Sequence, residues 1–405
     1  MSIGNGRPSG SIPLSSGALR PIRNNVTSPT LRVFNRMDDE LRATWRALAA
    51  ATTDAGYLSQ PEWYEGVLAS LPSAQPLLIT AWVGDICTAL IGARVDKVTV
   101  PMRIGYRQVV PLKPTTLQIM EGALLGDLDQ PTALLAALDH AAVDAGAHLI
   151  TFPRLEISHP LAVAVRGERW PWRRTPEPGN VHHRSNIDEG GYDALMAGSK
   201  STRKRVRKYA RTLERDHEVS LDVYDSADRF DAFIAEAMPI AETSYQYALG
   251  SSLGTPGEVD RLRRAADLGW FRGYLLRVDG EAWTFDYGIH HGDIFTAIAT
   301  AYRQEHAKKR PGNIALAAWI DDLGDIGVNE LDWGPGDAEY KQSLSSRVTD
   351  ERAFVLYQRT AWGSALAVLA ATIDVIDRLG RWIASQAGGL QKVKTTLRRR
   401  LRSSE

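Results

Sequence analysis

Apolar residues in three stretches of the first half recur every three or four positions, which is the spacing of an amphipathic helix. Shorter apolar runs lie between these stretches and predict strands. Gly84 and Asp85 separate two of the runs, which indicates a hairpin because a tight turn needs the positive φ that glycine readily adopts. The predicted elements are a strand at 31–34, helices at 38–51, from residue 61 and at 131–145, paired strands at 77–83 and 86–93, and a strand at 148–152.

The second half combines the same two patterns. Gly280 and the His290-His291-Gly292-Asp293 segment separate three apolar runs, which predicts a three-stranded antiparallel meander. The predicted elements are a helix at 201–216, a strand at 219–224, a helix at 227–241, strands at 270–278, 282–289 and 294–300, a helix at 314–323, and strands at 330–333 and 353–358.

Changes in composition divide the chain into four predicted segments. Residues 1–30 are rich in Gly, Ser, Pro and Asn and lack the apolar segment of a secretory signal, so we expect a disordered leader. Mixed polarity with several Pro and Gly residues places a boundary near 185, between domains at 31–185 and 186–358. A helical extension with a basic tail occupies 359–405, and that tail is equally consistent with a basic amphipathic helix and with a frayed, solvated end.

Composition narrows the possible environments and partners. Lys plus Arg and Asp plus Glu both total 48, so no global charge draws the whole chain to nucleic acid or to an anionic membrane. The single cysteine, Cys87, excludes an intrachain disulfide and fits a reducing compartment. No apolar run reaches the roughly 18 residues of a membrane-spanning helix. We expect a cytoplasmic protein, with peripheral contact to the inner face of the membrane through the basic tail left open.

A glycine-rich break follows the strand predicted at 330–333. Residues 331–341 read Leu-Asp-Trp-Gly-Pro-Gly-Asp-Ala-Glu-Tyr-Lys, so Asp337, Tyr340 and Lys341 come just after the break. Glycines let a backbone approach a bound group closely, and ligand sites often lie at the carboxyl ends of buried strands. A surface turn after an edge strand would have the same local pattern.

Two basic segments are suited to anionic groups. Residues 308–313, Lys-Lys-Arg-Pro-Gly-Asn, open a predicted helix whose unpaired N–H groups and partial positive charge suit a pyrophosphate such as that of coenzyme A. The helix at 201–216 carries an apolar stripe, and residues 200–216 hold eight basic and two acidic side chains. Its candidate ligands are a sugar-linked diphosphate, an anionic glycan or tRNA. In both segments solvated surface charge is the alternative.

These motifs together resemble the GNAT-superfamily acetyltransferases of the CelD type, which are related to the Fem ligases. The similarity is carried by Tyr302 at a strand end, by the Arg310-Pro311-Gly312 helix start, by the 331–341 segment and by the basic helix. Trp45 and the Leu-Ser-Gln-Pro-Glu-Trp sequence at 58–63 extend it to the first half. The chain departs from the family pattern with Trp333 in place of Phe, and with Ile314 where the pyrophosphate loop has a small residue.

The resemblance implies an α/β (α+β) fold of two tandem GNAT-like domains. Each is expected to have a mixed, largely antiparallel central sheet flanked by helices, with the first domain degenerate, the second catalytic, and the helical extension following them. The implied reaction is direct acyl transfer from acetyl-CoA or another acyl-CoA, without a metal.

The resemblance also implies roles for individual residues. Lys341 would stabilise the developing oxyanion, Tyr340 would donate a proton, and Asp337 or Asp286 would accept the proton of the acceptor amine. Cofactor binding is expected of Lys309, Arg310, Gly312, Asn313, Gly334 and Gly336. Substrate binding is expected of Arg203, Arg207, Arg211, Glu242, Tyr245 and Asp332.

Three functions follow as alternatives. The first is transfer of an acyl group, with acetyl expected, from acyl-CoA to an amine or hydroxyl of a polysaccharide or cell-envelope precursor. The second is aminoacyl transfer from tRNA, as in Fem-type ligases, and the third is a non-catalytic binding subunit of an exopolysaccharide assembly.

The Gly-Ser-Ser-Leu-Gly sequence at 250–254 lacks the strand and helix of an esterase nucleophile elbow, and the paired histidines lack metal-ligand spacing.

Overall fold

The computed structural model describes residues 29–386 except 101, 105–106, 169–171, 176–178, 188–189, 245–246, 248–251 and 337. The predicted leader, apart from its last two residues, and the basic tail lie outside the described residues, so both remain predictions.

The first part of the chain, up to residue 186, contributes nine strands and four helices to the described structure. The strands are β1 Thr30–Phe34, β2 Gln75–Val83, β3 Ile86–Lys97, β4 Arg103–Ile104, β5 Arg107–Gln108, β6 Thr115–Gly126, β7 Leu149–Glu156, β8 Arg173–Arg174 and β9 Asn180–Asn186. The helices are α1 Asp39–Ala51, α2 Pro61–Ala69, α3 Pro131–Asp144 and α4 Pro160–Gly167. A short 3₁₀ turn, Tyr57–Ser59, precedes α2.

The remaining residues add six strands and seven helices to the described part. The strands are β10 Val219–Tyr224, β11 Phe271–Val278, β12 Glu281–His291, β13 Ile294–Tyr302, β14 Glu330–Pro335 and β15 Arg347–Tyr357. The helices are α5 Gly191–Leu195, α6 Lys200–Asp216, α7 Phe230–Glu242, α8 Glu258–Asp267, α9 Pro311–Asp325, α10 Glu339–Leu344 and α11 Ala361–Gln386.

Thirteen of the described strands form one mixed sheet. Its order is β1-β2-β3-β6-β7-β15-β9-β14-β13-β12-β11-β10, with β8 attached to β15, while β4 and β5 form a separate ribbon. Only two of the described pairs, β6 with β7 and β13 with β14, are parallel. A helix connects the strands of each parallel pair, α3 in the first and α9 in the second. The sheet is therefore built from two similar halves, and the predicted fold class is confirmed.

Helices cover both faces of the sheet because buried side chains alternate along the strands. On β2, Leu77 and Ile79 belong to the core beneath α3 and α4, whereas Leu78 between them packs with Trp45 of α1 and Tyr64 of α2. The second half repeats this arrangement, with α7 and α8 on one face and α5, α6 and α9 on the other.

The two halves are joined by strands that leave their own half. One end of β15 pairs with β7 of the first half, and its other end pairs with β9. In turn, β9 pairs with β14 of the second half. The predicted boundary at 185 and 186 thus falls at the end of a strand that bridges the halves, and the division into domains stays a prediction.

A buried charge cluster holds this junction. His182 of β9 lies between two carboxylates, with its Nε2 2.6 Å from Asp332 Oδ1 on β14 and its Nδ1 2.8 Å from Glu351 Oε1 on β15. Burial alone would lower the pKa of His182, but hydrogen bonds and attraction from the two carboxylates outweigh it and raise the pKa to about 9. A protonated imidazole therefore links three strands.

We predict that His182→Gln destabilises the fold in a pH-dependent way. Because the folded pKa exceeds the usual 6.5, the stabilisation is fully present below about pH 6.5 and is lost as the pH rises through about 9. The pKa difference corresponds to at most about 3 kcal/mol in the free energy of unfolding. Urea titrations of wild type and variant from about pH 6 to about 10 span both the usual pKa of histidine and the raised pKa of His182. The difference in the free energy of unfolding between the two proteins should shrink as the pH rises. His140→Gln, at an exposed histidine of α3, should leave the profile unchanged. A constant difference at every pH would contradict the charge linkage.

Candidate active site

A cavity opens where β13 and β14 stop pairing. The two strands pair only through Ile294–Thr296 and Glu330–Asp332, and then they diverge. The edge of β13 beyond Thr296 that faces away from β12 has no strand partner in the described part of the chain. A cavity of about 680 Å³ occupies this opening, which we call the strand-opening cavity. Its lining includes Asp286, Phe295, Tyr302, Trp319, Trp333, Tyr340 and Lys341.

The amino terminus of α9 reaches the same cavity. Gly312 and Asn313, in the first turn, are among its lining residues. The turn before the helix ends at Arg310, whose backbone has a φ of 56°, in the left-handed region that non-glycine residues seldom adopt. The helix therefore begins at Pro311, immediately after the basic residues Lys308, Lys309 and Arg310. The first turn of a helix leaves N–H groups without intrahelical partners, so this end can accept an anion.

The basic side chains just before α9 lie outside the lining of the cavity. The Nζ of Lys309 lies 2.9 Å from His217 Nε2 and 5.0 Å from the centre of the Trp283 ring, which directs it toward α6. The Arg310 side chain is exposed and does not line the cavity. Of the predicted cofactor-binding residues, Gly312 and Asn313 thus line the cavity, whereas Lys309 and Arg310 lie outside its lining.

Asp286 of β12 is the most perturbed acid of the cavity. It is 6 % exposed, and its Oδ2 has no hydrogen-bond partner among the described residues. Burial raises its pKa to about 7, and the neighbouring Thr300 hydroxyl and Trp319 indole offset only part of this effect. A carboxyl group that titrates near neutral pH and faces a cavity is suited to accept a proton.

Lys341 holds the loop that ends β14. Its Nζ donates to the carbonyl oxygens of Trp333 at 2.5 Å, Pro335 at 3.0 Å and Gly334 at 3.5 Å. Burial lowers the pKa of Lys341, and repulsion from Arg154 adds to this, while Asp332 opposes it. The side chain still lines the cavity, so its charge acts there as well as on the loop.

The glycines of this loop are required by its backbone. Gly334 has a φ of 66° and Gly336 a φ of 105°, both unfavourable for residues with a Cβ. The Gly336 N–H donates to Val181 O at 2.9 Å, which ties the loop to β9. Neither glycine lines the strand-opening cavity, so in the structure they shape the loop and do not face a ligand. Tyr340, just beyond, is 40 % exposed and packs edge-on against Trp333.

Other predicted substrate-binding residues lie elsewhere. Arg207 forms ion pairs with Asp193 and Asp321, and Arg203 donates to Asp193 O, so both anchor α6 to its neighbours. Arg211 is exposed on α6. Glu242 is the last residue of α7 and is exposed, next to the cavity-lining Thr243 and Ser244. Asp337 and Tyr245 lie outside the described residues, and their roles remain predictions.

Asp332 lies on the opposite face of β14 from Trp333, because successive side chains of a strand alternate. Its carboxylate accepts from the Gly334 N–H at 2.7 Å and from His182. Protonated His182 and Arg184 hold the pKa of Asp332 below its usual value, despite its burial. It lines a cavity of about 210 Å³ between the halves and not the strand-opening cavity.

The first half contains a corresponding opening between two parallel strands. Strands β6 and β7 pair only through 116–118 and 149–151 before they diverge. The turn at Tyr57–Ser59 packs against β6, and a Cβ at Gly122 would come within 2.7 Å of the Leu58 backbone. The residues before α3 include Asp127 and Asp129, where α9 is preceded by Lys and Arg. This half therefore lacks the features that suit the second half to an anionic ligand.

A further cavity of about 440 Å³ lies between the halves. Tyr57, Trp63, Arg94 and Arg154 contribute to it from the first half, and the second half adds Glu258, Arg261, Ile289 and Ile298. Ile298 also lines the strand-opening cavity, so the two cavities meet there. The register between β12 and β13 shifts at this point, since Tyr287 faces Ala299 while Gly288 faces Ala297. A bulge at Ile298 thus marks the boundary between the cavities.

Sequence patterns missed several cavity residues. Trp319, Phe295 and Leu316 read as ordinary core positions, and only the divergence of the strands brings them to a cavity wall. Thr243 and Ser244 carry no motif. Tyr302 stands out in the sequence only through the family resemblance, although Gly312 packs against its ring in the structure.

One group of possible metal ligands occurs among the described residues, formed by Glu281, Glu305 and His306. Arg303 approaches Glu281 to 3.3 Å, so a cation already compensates this carboxylate. The group does not line the strand-opening cavity.

Comparisons with known proteins agree with this architecture. Residues 200–342 match the acetyltransferase (GNAT) domain family. A structure titled as that of FemX superposes with a TM-score of 0.56 at 12 % identity, covering 83 % of this chain and 100 % of that chain. A conserved protein of unknown function from Bacteroides thetaiotaomicron VPI-5482 gives a TM-score of 0.50 at 9 % identity, covering 81 % and 100 %. A comparison with curated proteins finds no match.

The second half thus contains a GNAT domain, a fold of acyltransferases. The chain as a whole has a FemAB-like tandem GNAT fold, which confirms the family resemblance predicted from the sequence at the level of fold.

We predict that Lys341→Met destabilises the protein by about 1–3 kcal/mol, because the carbonyls of the β14 loop lose a charged donor. Urea unfolding followed by circular dichroism measures this change. The control is Lys308→Met, which alters an exposed lysine near α9 and should change stability by less than about 0.5 kcal/mol. Equal effects of the two substitutions would show that Lys341 does not hold the loop.

Proposed function

We propose that the protein is an acyltransferase that moves an acyl group, with acetyl the expected one, from acyl-CoA to an amine or hydroxyl. The observation that carries this proposal is the convergence on one cavity of an unpaired strand edge, a helix amino terminus and a carboxyl group with a pKa near 7. The acceptor class that we propose is a polysaccharide or cell-envelope precursor, and the proposed location is the cytoplasm, where acyl-CoA is available.

The strand-opening cavity suits coenzyme A in two respects. The pantetheine arm carries two amides, which can pair with the free edge of β13 in the way that a peptide extends a sheet. The pyrophosphate can then lie at the first turn of α9, near Gly312 and Asn313. A volume of about 680 Å³ is within the usual range for a bound small molecule.

The proposed reaction is a direct transfer. Asp286 removes a proton from the acceptor amine or hydroxyl, which attacks the thioester carbonyl. The tetrahedral oxyanion is stabilised by nearby N–H groups and by the charge of Lys341. The carbon–sulfur bond then breaks, and the thiolate of coenzyme A takes a proton from Tyr340, whose hydroxyl is restored by the proton that Asp286 accepted, through solvent. Acylated acceptor and free coenzyme A are the products.

The cavity between the halves is the proposed route of the acceptor. It meets the strand-opening cavity at Ile298, so an acceptor lying there would reach the thioester from the opposite side. Tyr57 and Trp63 pack edge to face at 4.7 Å between ring centres and offer an aromatic wall. Arg94, Arg154 and Glu258 add charged groups, a mixture suited to a polar acceptor such as a sugar derivative.

We predict that Asp286→Asn lowers kcat/KM by about 10²- to 10⁴-fold, the usual contribution of a general base. In the wild type, kcat/KM should rise with pH through about 7 as the carboxyl ionises, and the variant should lack this inflection. Initial rates with acetyl-CoA and a panel of amines and amino sugars, followed by thiol release, give the profile.

The same substitution should stabilise the fold above about pH 7, because it removes a buried charge that has no hydrogen-bond partner at Oδ2. This second readout separates a lost base from a misfolded protein. Asp267→Asn, at an exposed residue of α8, is the matched control and should change neither property. An active Asp286→Asn variant with an unaltered pH profile would eliminate Asp286 as the base.

A second candidate function is Fem-type aminoacyl transfer from tRNA. The observation in its favour is a row of exposed basic side chains on α6 that take no part in the ion pairs of Arg207. This row consists of Lys204, Arg205, Lys208 and Arg211, while Arg215 at the end of the helix pairs with Asp216. A cationic face of this kind suits a nucleic-acid backbone, and the overall fold is similar to that of FemX.

We predict that coenzyme A and acetyl-CoA raise the melting temperature, whereas uncharged and aminoacylated tRNA do not. A ligand at one hundred times its Kd should add about 2.7 kcal/mol to stability. Gly312→Val, which narrows the first turn of α9, should reduce the shift caused by coenzyme A. Stabilisation by tRNA alone would favour the second function, and no response to any of these ligands would favour a non-catalytic subunit.

A further inference from the structure

The carboxyl-terminal helix α11 has two apolar faces. Its first four turns pack on β15 and its neighbours through Leu366, Ala367, Ala370 and Ile373. A second set of aliphatic side chains is about half exposed and points away from that contact. This set, the α11 stripe, consists of Val368, Val375, Ile376, Leu379 and Ile383.

The α11 stripe is continuous and nearly opposite to the packed face. At 3.6 residues per turn its members fall within about 120° of the helix circumference. All described side chains from Asp374 to Ile383 are exposed or intermediate, so this part of the helix extends beyond the core. Exposed aliphatic residues scattered singly need no explanation, but a continuous stripe of this kind marks an interaction surface.

Charge indicates which partner this surface fits. The helix itself is balanced, since Arg378 and Arg381 offset Asp374 and Asp377. The sequence that follows, 387–405, holds six basic residues and one acidic residue, Glu405. An aliphatic stripe followed directly by concentrated positive charge is the combination that binds anionic bilayers, because the stripe enters the headgroup boundary while Lys and Arg attract the lipid phosphates.

We infer that the α11 stripe docks the protein onto the surface of an anionic membrane, to which the positive charge of the sequence that follows the stripe is complementary. Neither feature suffices alone, since a charged tail binds only weakly and an uncharged stripe would not select anionic lipid. Docking brings the rest of the chain to the membrane without involving the strand-opening cavity. The inference is independent of the proposed acyl transfer and can fail while that activity stands.

Co-sedimentation of the full chain with vesicles tests this inference. Phosphatidylcholine vesicles containing phosphatidylglycerol should bind the protein, whereas vesicles of phosphatidylcholine alone should bind it at least about tenfold more weakly. The double variant Leu379→Glu/Ile383→Glu should lose binding by about tenfold or more. Substitution of Arg398, Arg399 and Arg400 by Gln should weaken binding and reduce its sensitivity to salt.

The matched control is Val143→Glu/Val163→Glu. These side chains are 51 % and 53 % exposed on helices of the first half, against 53 % and 54 % for Leu379 and Ile383. The control adds the same two negative charges and should keep vesicle binding. Unchanged melting temperatures for both double variants would show that the fold is intact.

Four results would overturn the inference. They are no binding to either vesicle, equal binding to both, undiminished binding by the stripe variant, and equal losses in the stripe and control variants. Sedimentation velocity adds a fifth, because conversion of a dimer into a monomer by the stripe variant, without a change in vesicle binding, would make the stripe a contact between two copies of the chain.

Discussion

The divergence of β13 from β14 is the constraint on which the rest of the second half depends. Two parallel strands that pair over only three residues leave backbone N–H and C=O groups that must find other partners when they are buried. The opening persists because the end of β14 is held elsewhere, by pairing with β9 and by Lys341 on the carbonyls of its own loop. Its walls come mainly from strands and from helix α9, and Tyr340 and Lys341 of α10 complete them together with Thr243 and Ser244 just after α7. In the proposed function, a ligand that offers amides and a phosphate completes hydrogen bonding that the fold leaves incomplete.

The first half has the same early separation of a parallel strand pair, and residues of that half pack beside it. Its parallel pair also separates early, but the turn around Leu58 packs against β6, and Gly122 allows the two backbones to come close. Acidic residues before α3 disfavour an anion at that helix. The residues of β6 and β7 beside this opening form one wall of the cavity that ends at Ile298. One half thus contributes surface to the proposed site, and the other half contributes the end proposed to bind the acyl donor.

The sequence predicted most periodic elements, since local spacing determines them: α6, β10 and the meander β11–β13 differ from expectation by two residues or fewer at each end. It missed β9, a strand rich in His and Arg that is stabilised by partners distant in the chain. The candidate site was predicted only in part, because it also depends on partners that are distant in the chain. Gly312, Asn313, Lys341 and Asp286 line one cavity, and the roles expected of them stay predictions. The strand register turns Asp332 toward His182, which no local pattern encodes.

The environment of Asp286 differs from that of other buried charges in the fold. Arg272 is 8 % exposed, yet Asp322, Asp225 and the Tyr274 hydroxyl all accept hydrogen bonds from it, and His182 lies between two carboxylates. Asp286 has no basic partner among the causes of its pKa shift. A shift of about three pKa units corresponds to about 4 kcal/mol against the ionised form. An asparagine would avoid that cost, so selection for stability alone does not explain the carboxyl group. The proposed acyl transfer, in which Asp286 is the base and ionises near neutral pH, would explain it.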